Sequence, residues 1–215
     1  MAVNRNIIFD IHQEDNMNNH TLITISRQFG SGGKEIAELV AKKLGIRCFD
    51  RQILYLAAEK MGEGDINAEA ILNEAYRTAG NSLNAIGENG FMATSHYNKL
   101  YKEQAKLIQE IAEKQSAVFL GRCADVILAG RPNCYSFFIY ADEAFRAERA
   151  KTHYNNSSLK NLNTEDNARK YYYKRYTGKK WGDPQNYDLM INTSRYSLEY
   201  AANLIIQYIR SNDTL

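Results

Sequence analysis

Between Thr21 and Lys34 the chain reads Thr-Leu-Ile-Thr-Ile-Ser-Arg-Gln-Phe-Gly-Ser-Gly-Gly-Lys, an apolar, β-branched run that breaks into glycines and a lysine. A strand ending abruptly in glycine leaves backbone N–H groups bare, and a helix opening at the same place adds the positive end of its dipole. Phosphate oxygens are what such a place holds. The layout is that of a P-loop, G-x-x-x-x-G-K-[ST], with differences in register. Counted back from Lys34, Gln28 stands where the first glycine belongs, and Glu35 replaces the magnesium-binding hydroxyl. Gly30, Gly32 and Gly33 fall within four residues, a concentration whose entropic cost an ordinary turn does not require. Gly30, Ser31, Gly32, Gly33 and Lys34 are therefore expected to cradle phosphate, with Glu35 beside them.

Further charged residues follow other apolar runs. Asp50 and Arg51 come directly after one, and Gly121 with Arg122 after another, with Asp125 one helical turn beyond. Asp50 alone reads equally well as a helix cap. Its coincidence with Lys34, Arg51 and Arg122 on one sheet edge points instead to a charged site. Later the chain turns basic through Arg146, Arg149, Lys151, Lys160, Arg169, Lys170, Lys174, Arg175, Lys179 and Lys180, interleaved with Tyr171, Tyr172, Tyr173 and Tyr176. Most of those charges belong to solvated helix faces. The rest read as a lid, because phosphoryl transfer is catalysed largely by cations placed around the moving group. Interleaved tyrosines also suit stacking on single-stranded RNA, a weaker reading.

Positioning these residues requires a rigid frame, and 215 residues suffice for one α/β domain with a sizeable core. Hydrophobic residues make up 44 % and prolines number 2, which excludes a disordered chain. No apolar run is long enough to span a bilayer. Residues 1–20 form a lead with a short apolar patch and an Asn-rich stretch but no signal-peptide pattern, so the expected compartment is the cytoplasm. The 3 cysteines, Cys48, Cys123 and Cys134, are too few and too scattered for a disulfide framework and read as reduced, buried residues. No two histidines have metal-ligand spacing, and a net charge of +2 gives no support to nucleic acid as a partner.

Five short apolar runs qualify as strands: Leu22 to Ser26, Ile46 to Phe49, Ala117 to Leu120, Cys134 to Tyr140, and Leu189 to Ile191. Helical patterns lie between them. Ile36, Leu39, Val40 and Leu44 repeat at helical spacing and stop at Gly45; Tyr97 to Ile111 and Leu198 to Ile209 repeat likewise. Nearly continuous apolar strands alternating with helices imply a five-stranded parallel sheet covered by helices on both faces, with ligands beyond the carboxyl ends of the strands. Two insertions break the alternation, at about 51–114, with a middle punctuated by Gly80, Gly87 and Gly90, and at about 142–187. Residues 21–215 are expected to form one domain, the first insertion binding substrate and the second serving as lid.

Taken together, Ile23-Thr-Ile-Ser-Arg-Gln-Phe-Gly-Ser-Gly-Gly-Lys34, Asp50-Arg51, Val118-Phe-Leu-Gly-Arg-Cys-Ala-Asp-Val-Ile-Leu128, Tyr172-Tyr-Lys-Arg-Tyr-Thr-Gly-Lys-Lys-Trp-Gly182 and Tyr187-Asp-Leu-Met-Ile-Asn-Thr193 resemble, in order, the cytidylate kinase-like family of bacterial P-loop proteins. The resemblance spans Thr21 to the C-terminus. It implies a P-loop NTPase fold of the nucleoside monophosphate kinase type, ATP and magnesium as cosubstrates, and transfer of the γ-phosphoryl group to a nucleotide such as CMP. By the resemblance, Gly30 to Lys34 hold donor phosphates and Arg122 grips the acceptor. Asp166 and Arg169 match the Asp-x-x-Arg pair of the lid, and Arg169 with Arg175 meets transition-state charge. Asp50 orients the acceptor or holds a magnesium-bound water, with Arg51, Tyr55 and Asp125 near the substrate. Small nucleotides are the expected partners, with no membrane and no nucleic acid; a homodimer stays open. This chain has Gly30-Ser-Gly-Gly-Lys-Glu35 where true cytidylate kinases carry Gly-Ser-Gly-Lys-Gly-Thr, and Gly121-Arg122-Cys123 where they carry Gly-Arg-Asp. A nucleotide-binding sensor without transfer is the alternative reading.

Overall fold

The computed structural model describes residues 20–62, 88–153 and 159–212. Its elements run β1 (Leu22–Arg27), α1 (Gly33–Leu44), β2 (Arg47–Phe49), α2 (Arg51–Lys60), α3 (Glu88–Ala112), β3 (Ala117–Leu120), α4 (Ala124–Ile127), β4 (Cys134–Tyr140), α5 (Glu143–His153), α6 (Leu159–Thr177), β5 (Leu189–Asn192) and α7 (Leu198–Asn212), with one 3-10 turn at Pro184–Asn186. The five strands pair in parallel in the order β2-β3-β1-β4-β5. The expected doubly covered parallel sheet is therefore present, with each strand within about one residue of its expected bounds.

Strand alternation divides the interior. Ile23 and Ile25 of β1, Val118 and Leu120 of β3, and Phe137 and Ile139 of β4 point to the face covered by α1 and α7, where Ile36, Val40, Ala202 and Ile205 meet them. Leu22, Ala117 and Phe119 point to the other face, where α2, α3 and α4 supply Ile53, Leu54, Leu107, Ile108 and Ala124. Phe119, Phe137 and Ile108 are wholly buried, and each such side chain contributes about 1.5–3 kcal/mol of transfer free energy. α1 stops as expected at Gly45, whose φ of 69° is left-handed and whose N–H bonds back to Ala41 and Lys42 carbonyls.

A third cluster forms under the second insertion, where Tyr97, Cys123, Phe138, Tyr172, Tyr173, Trp181 and Tyr187 pack together. The interleaved tyrosines thus point mostly inward: Tyr172 and Tyr173 are buried, Tyr176 stacks on Tyr101 with ring centroids 4.2 Å apart, and Tyr171 alone of the four is largely exposed. Gly90 falls inside α3 rather than in a loop. Gly80, Gly87 and the N-terminal lead lie outside the described residues. No described helix is long and apolar enough to cross a membrane.

Candidate active site

β1 delivers the chain to the middle of the sheet and the glycine turn carries it into α1. Gly30 and Gly32 have φ of 81° and 80°, the left-handed region glycine enters without penalty. Both positions also lie close to neighbouring residues. A Cβ on Gly30 would lie 3.1 Å from the Arg146 carbonyl oxygen, and one on Gly32 would lie 2.5 Å from Leu198 Cδ2. Gly32 occupies the cap position of α1, and no side chain caps that helix. Its first-turn amides have no intrahelical acceptor either, which leaves them for an anion. Carbonyls of the turn are tied back into the protein: Thr193 Oγ1 donates to Ser31 O at 2.7 Å, and Ser31 Oγ donates to Gln28 O at 2.8 Å. The Ala141 N–H donates to Gln28 Oε1 at 3.1 Å, fixing the turn to the end of β4.

Beside the turn lies a cleft lined by Ser26, Arg27, Gly121, Arg122, Cys123, Arg169, Tyr172, Tyr173 and Trp181. It lies beyond the carboxyl ends of β1 and β3, neighbours whose following helices cover opposite faces of the sheet. That switch point is where open α/β sheets bind ligands. Gly121, Arg122 and Cys123 all have positive φ, 74°, 60° and 58°. Two successive non-glycine residues in that region store about 1–3 kcal/mol of strain each, a cost that clusters at functional sites. Arg122 is 9 % exposed. Burial raises the Cys123 thiol well above its ordinary pKa, so Cys123 lines the cleft as a neutral group and not as a thiolate.

Helices α5 and α6 fasten onto Phe29. Asp166 Oδ1 accepts the Phe29 N–H at 2.7 Å and Oδ2 accepts Arg146 Nη2 at 2.6 Å, while Arg146 Nε donates to Phe29 O at 2.7 Å. Arg169 Nη1 donates to Arg27 O at 3.0 Å, and its guanidinium lies 5.4 Å above the Phe29 ring. Burial of Asp166 raises its pKa, an effect opposed by the Phe29 amide and by Arg146. At the cleft's back wall Tyr173 Oη–H donates to Asp125 Oδ2 at 2.6 Å. Burial, then the Asp125 charge, drive the Tyr173 hydroxyl far above its usual pKa.

Of the residues expected from sequence, the structure brings Arg122 and Arg169 together in the cleft, next to the Gly30–Gly33 turn. Asp50 stands at the end of β2, its Oδ1 3.7 Å from Arg27 Nη2. Asp125 sits behind the cleft on Tyr173, and both Asp166 oxygens are engaged by the turn and Arg146. Other expected residues lie elsewhere. Lys34 projects from the outer face of α1, 56 % exposed, with Glu38 Oε1 3.8 Å away, and Glu35 is held by Arg149. Arg51 is exposed on α2, and Tyr55 packs against the core under that helix. Arg175 is exposed in the last turn of α6 and lies over Tyr176, outside the cleft lining.

Sequence reasoning missed Arg27, Arg146 and Trp181 as site residues. The signal for Arg27 is there in the register. With α1 starting at Gly33, Gly32 is the second glycine of the P-loop pattern, so Arg27 takes the place of the first glycine and Gly33 that of the lysine.

A phosphate chain fits the cradle, given an uncapped helix start and glycines at every close approach. Magnesium finds less. Lys34 follows the lysine position where the pattern has a hydroxyl, Asp50 faces Arg27, and no group of three or more His, Cys, Asp or Glu residues capable of holding a metal occurs among the described residues. A metal ion here would be held chiefly by substrate phosphates and water, the usual habit of magnesium.

A search of the curated proteins gives no match. Among solved structures, a Eubacterium ventriosum protein of uncharacterised function is 26 % identical, with a TM-score of 0.66 over 89 % of this chain and 99 % of that one. Shikimate kinase from Bacteroides thetaiotaomicron is 11 % identical with a TM-score of 0.52, over 88 % and 98 % of the two chains. TT1252 from Thermus thermophilus is 15 % identical with a TM-score of 0.52, over 89 % and 98 %. These likenesses agree with a P-loop kinase-like fold. A family model matches residues 22–195, spanning the glycine turn, the cleft and the lid, and the chain accordingly belongs to the cytidylate kinase-like family.

Proposed function

We propose that the protein is an ATP-dependent phosphotransferase that moves the γ-phosphoryl group to a nucleoside monophosphate, CMP-like, or to a related small phosphorylated acceptor. The observation that carries this reading is the convergence of Arg27, Arg122 and Arg169 on one cleft beside an uncapped, glycine-lined helix start. Donor and acceptor are both polyanions, and bringing them together is the main electrostatic obstacle to reaction. An ionised acceptor phosphate needs no general base. Its oxygen attacks the γ-phosphorus, the bond to the bridging oxygen breaks, and that electron pair stays on the departing diphosphate. What the protein must supply is alignment and positive charge.

Each arginine has a place in that task. Arg122, buried on a strained backbone at the end of β3, faces the acceptor; Arg169, anchored on the Arg27 carbonyl, brings lid charge to the transferring group. Guanidinium groups suit the work because they remain charged and grip phosphate oxygens in pairs. Arg122→Ala should lower turnover at least about tenfold, the effect of losing one charged contact in the transition state, without unfolding the protein. A screen of phosphorylated acceptors with labelled ATP gives the acceptor and the wild-type rate, and wild-type turnover in Arg122→Ala would overturn the assignment. A second reading, a nucleotide sensor without transfer, is favoured by the glycine at the lysine position of the motif. ATP binding by calorimetry together with no product from any acceptor would select it.

A further inference from the structure

The P-loop pattern places one cation, its lysine, directly after the second glycine. Here that position is Gly33, the first residue of α1. The space a side chain there would use is already filled: a Cβ on Gly33 would lie 2.4 Å from Arg27 Cβ and 2.9 Å from Arg27 Cγ. The Arg27 stem therefore runs across the start of α1. Its head continues past β3, because a Cβ on Gly121 would lie 2.4 Å from Arg27 Nη1. Beyond Gly121 the guanidinium meets Asp50 at the end of β2, with Nη2 to Oδ1 at 3.7 Å. One side chain thus crosses the carboxyl edge of three adjacent strands in the order β1, β3, β2.

Building on the phosphotransferase reading, we infer that Arg27 supplies the phosphate-gripping cation that the P-loop pattern assigns to its lysine. Arginine has entered at the first glycine, and lysine has left at the position after the second. The two changes require each other. A lysine at 33 and an arginine at 27 compete for the same volume, so Gly33 is the complement of Arg27. At the other end of the side chain the guanidinium passes over Gly121, which has a φ of 74°. Asp50 acquires a positioning role, its carboxylate beside the guanidinium over β3, while Arg27 lines the cleft. Lys34, the apparent motif lysine, is not the substitute, since it stands on the solvent face of α1 and pairs within its own helix.

Calorimetry with ATP and with inorganic tripolyphosphate on the full chain tests this. Tripolyphosphate isolates the phosphate grip from nucleoside contacts. Arg27→Met keeps the stem over Gly33 and removes only the charge, and it should weaken both ligands at least about tenfold, the worth of one charged hydrogen bond. Lys34→Ala should stay within about twofold of wild type, the scale of an exposed ion pair. Gly33→Lys alone should lose binding through collision with Arg27, and the double variant Arg27→Gly/Gly33→Lys should recover it by rebuilding the usual pattern. Undiminished binding in Arg27→Met, or a tenfold loss in Lys34→Ala, overturns the inference while leaving the phosphotransferase intact. Wild-type protein that binds neither ligand overturns both.

Discussion

Asp125 shows how much a single residue contributes behind this cleft. Its Oδ2 receives the Tyr173 hydroxyl at 2.6 Å, but Oδ1 is buried with no hydrogen-bond partner. Burial raises the carboxyl's pKa, and the Tyr173 hydrogen bond offsets only part of that rise. The folded protein thus holds this proton more tightly than the unfolded chain, in which a carboxyl titrates near about 3.9. Asp125 costs nothing extra below that pH, and its ionisation subtracts stability as pH rises through the elevated folded value. Asp125→Asn removes the charge and keeps the shape. Its melting temperature relative to wild type should therefore climb as pH rises from about 3.5 and level off once the folded carboxyl is fully ionised, whatever constant offset the buried amide adds. A pH-independent difference would mean that Asp125 is not a buried carboxylate of raised pKa. Residue types were well legible in the sequence at this scale: Arg122 and Arg169 were expected from motif order and both line the cleft. Directions were not. Lys34 and Gly33 are neighbours in the sequence, yet one faces solvent and the other the Arg27 stem, and only the start of α1 at Gly33 decides which is which.

The elements were legible because a parallel strand buried on both faces reads as an unbroken apolar run, and no other local structure competes for Ala117–Leu120 or Cys134–Tyr140. The second insertion was legible only as a charged stretch. A carboxylate in such a stretch serves a ligand or the protein's own backbone equally well by sequence, and Asp166, expected beside substrate, instead joins α6 to the glycine turn. It lies in an ion pair with Arg146 in which both side chains are under a tenth exposed. Truncating one member of such a pair leaves the other charge buried without compensation, which costs about 3–5 kcal/mol. Asp166→Ala should lower unfolding stability by that amount in denaturant titration. It should also release the Phe29 amide, and so weaken tripolyphosphate binding through a disordered cradle. A stability loss under about 1 kcal/mol, the value of an exposed pair, would show that α6 does not hold the turn in this way.

Across the whole molecule, the sheet supplies fixed ends, and residues of α6 with Trp181 pack beside the ends of β1 and β3. The cleft encloses only about 20 Å³, room for little more than a water, so a nucleotide enters only when α6 and the segment carrying Trp181 move off the ends of β1 and β3. Motion of this kind commonly limits turnover. Trp181 is the chain's only tryptophan; it is 9 % exposed and packs edge-on against Phe138 with ring centroids 5.0 Å apart. Its fluorescence therefore reports on the cleft alone. Titration with ATP should shift the emission to the red and raise its quenching by acrylamide, because moving these residues aside wets the indole, and the change should saturate at the calorimetric affinity. Arg27→Met should move that saturation to at least about tenfold higher ATP without altering the end point, since the moving residues are the same and only the grip beneath them is weaker. Emission that stays constant while calorimetry shows ATP bound would place the nucleotide outside this cleft and separate the lid from the phosphate cradle.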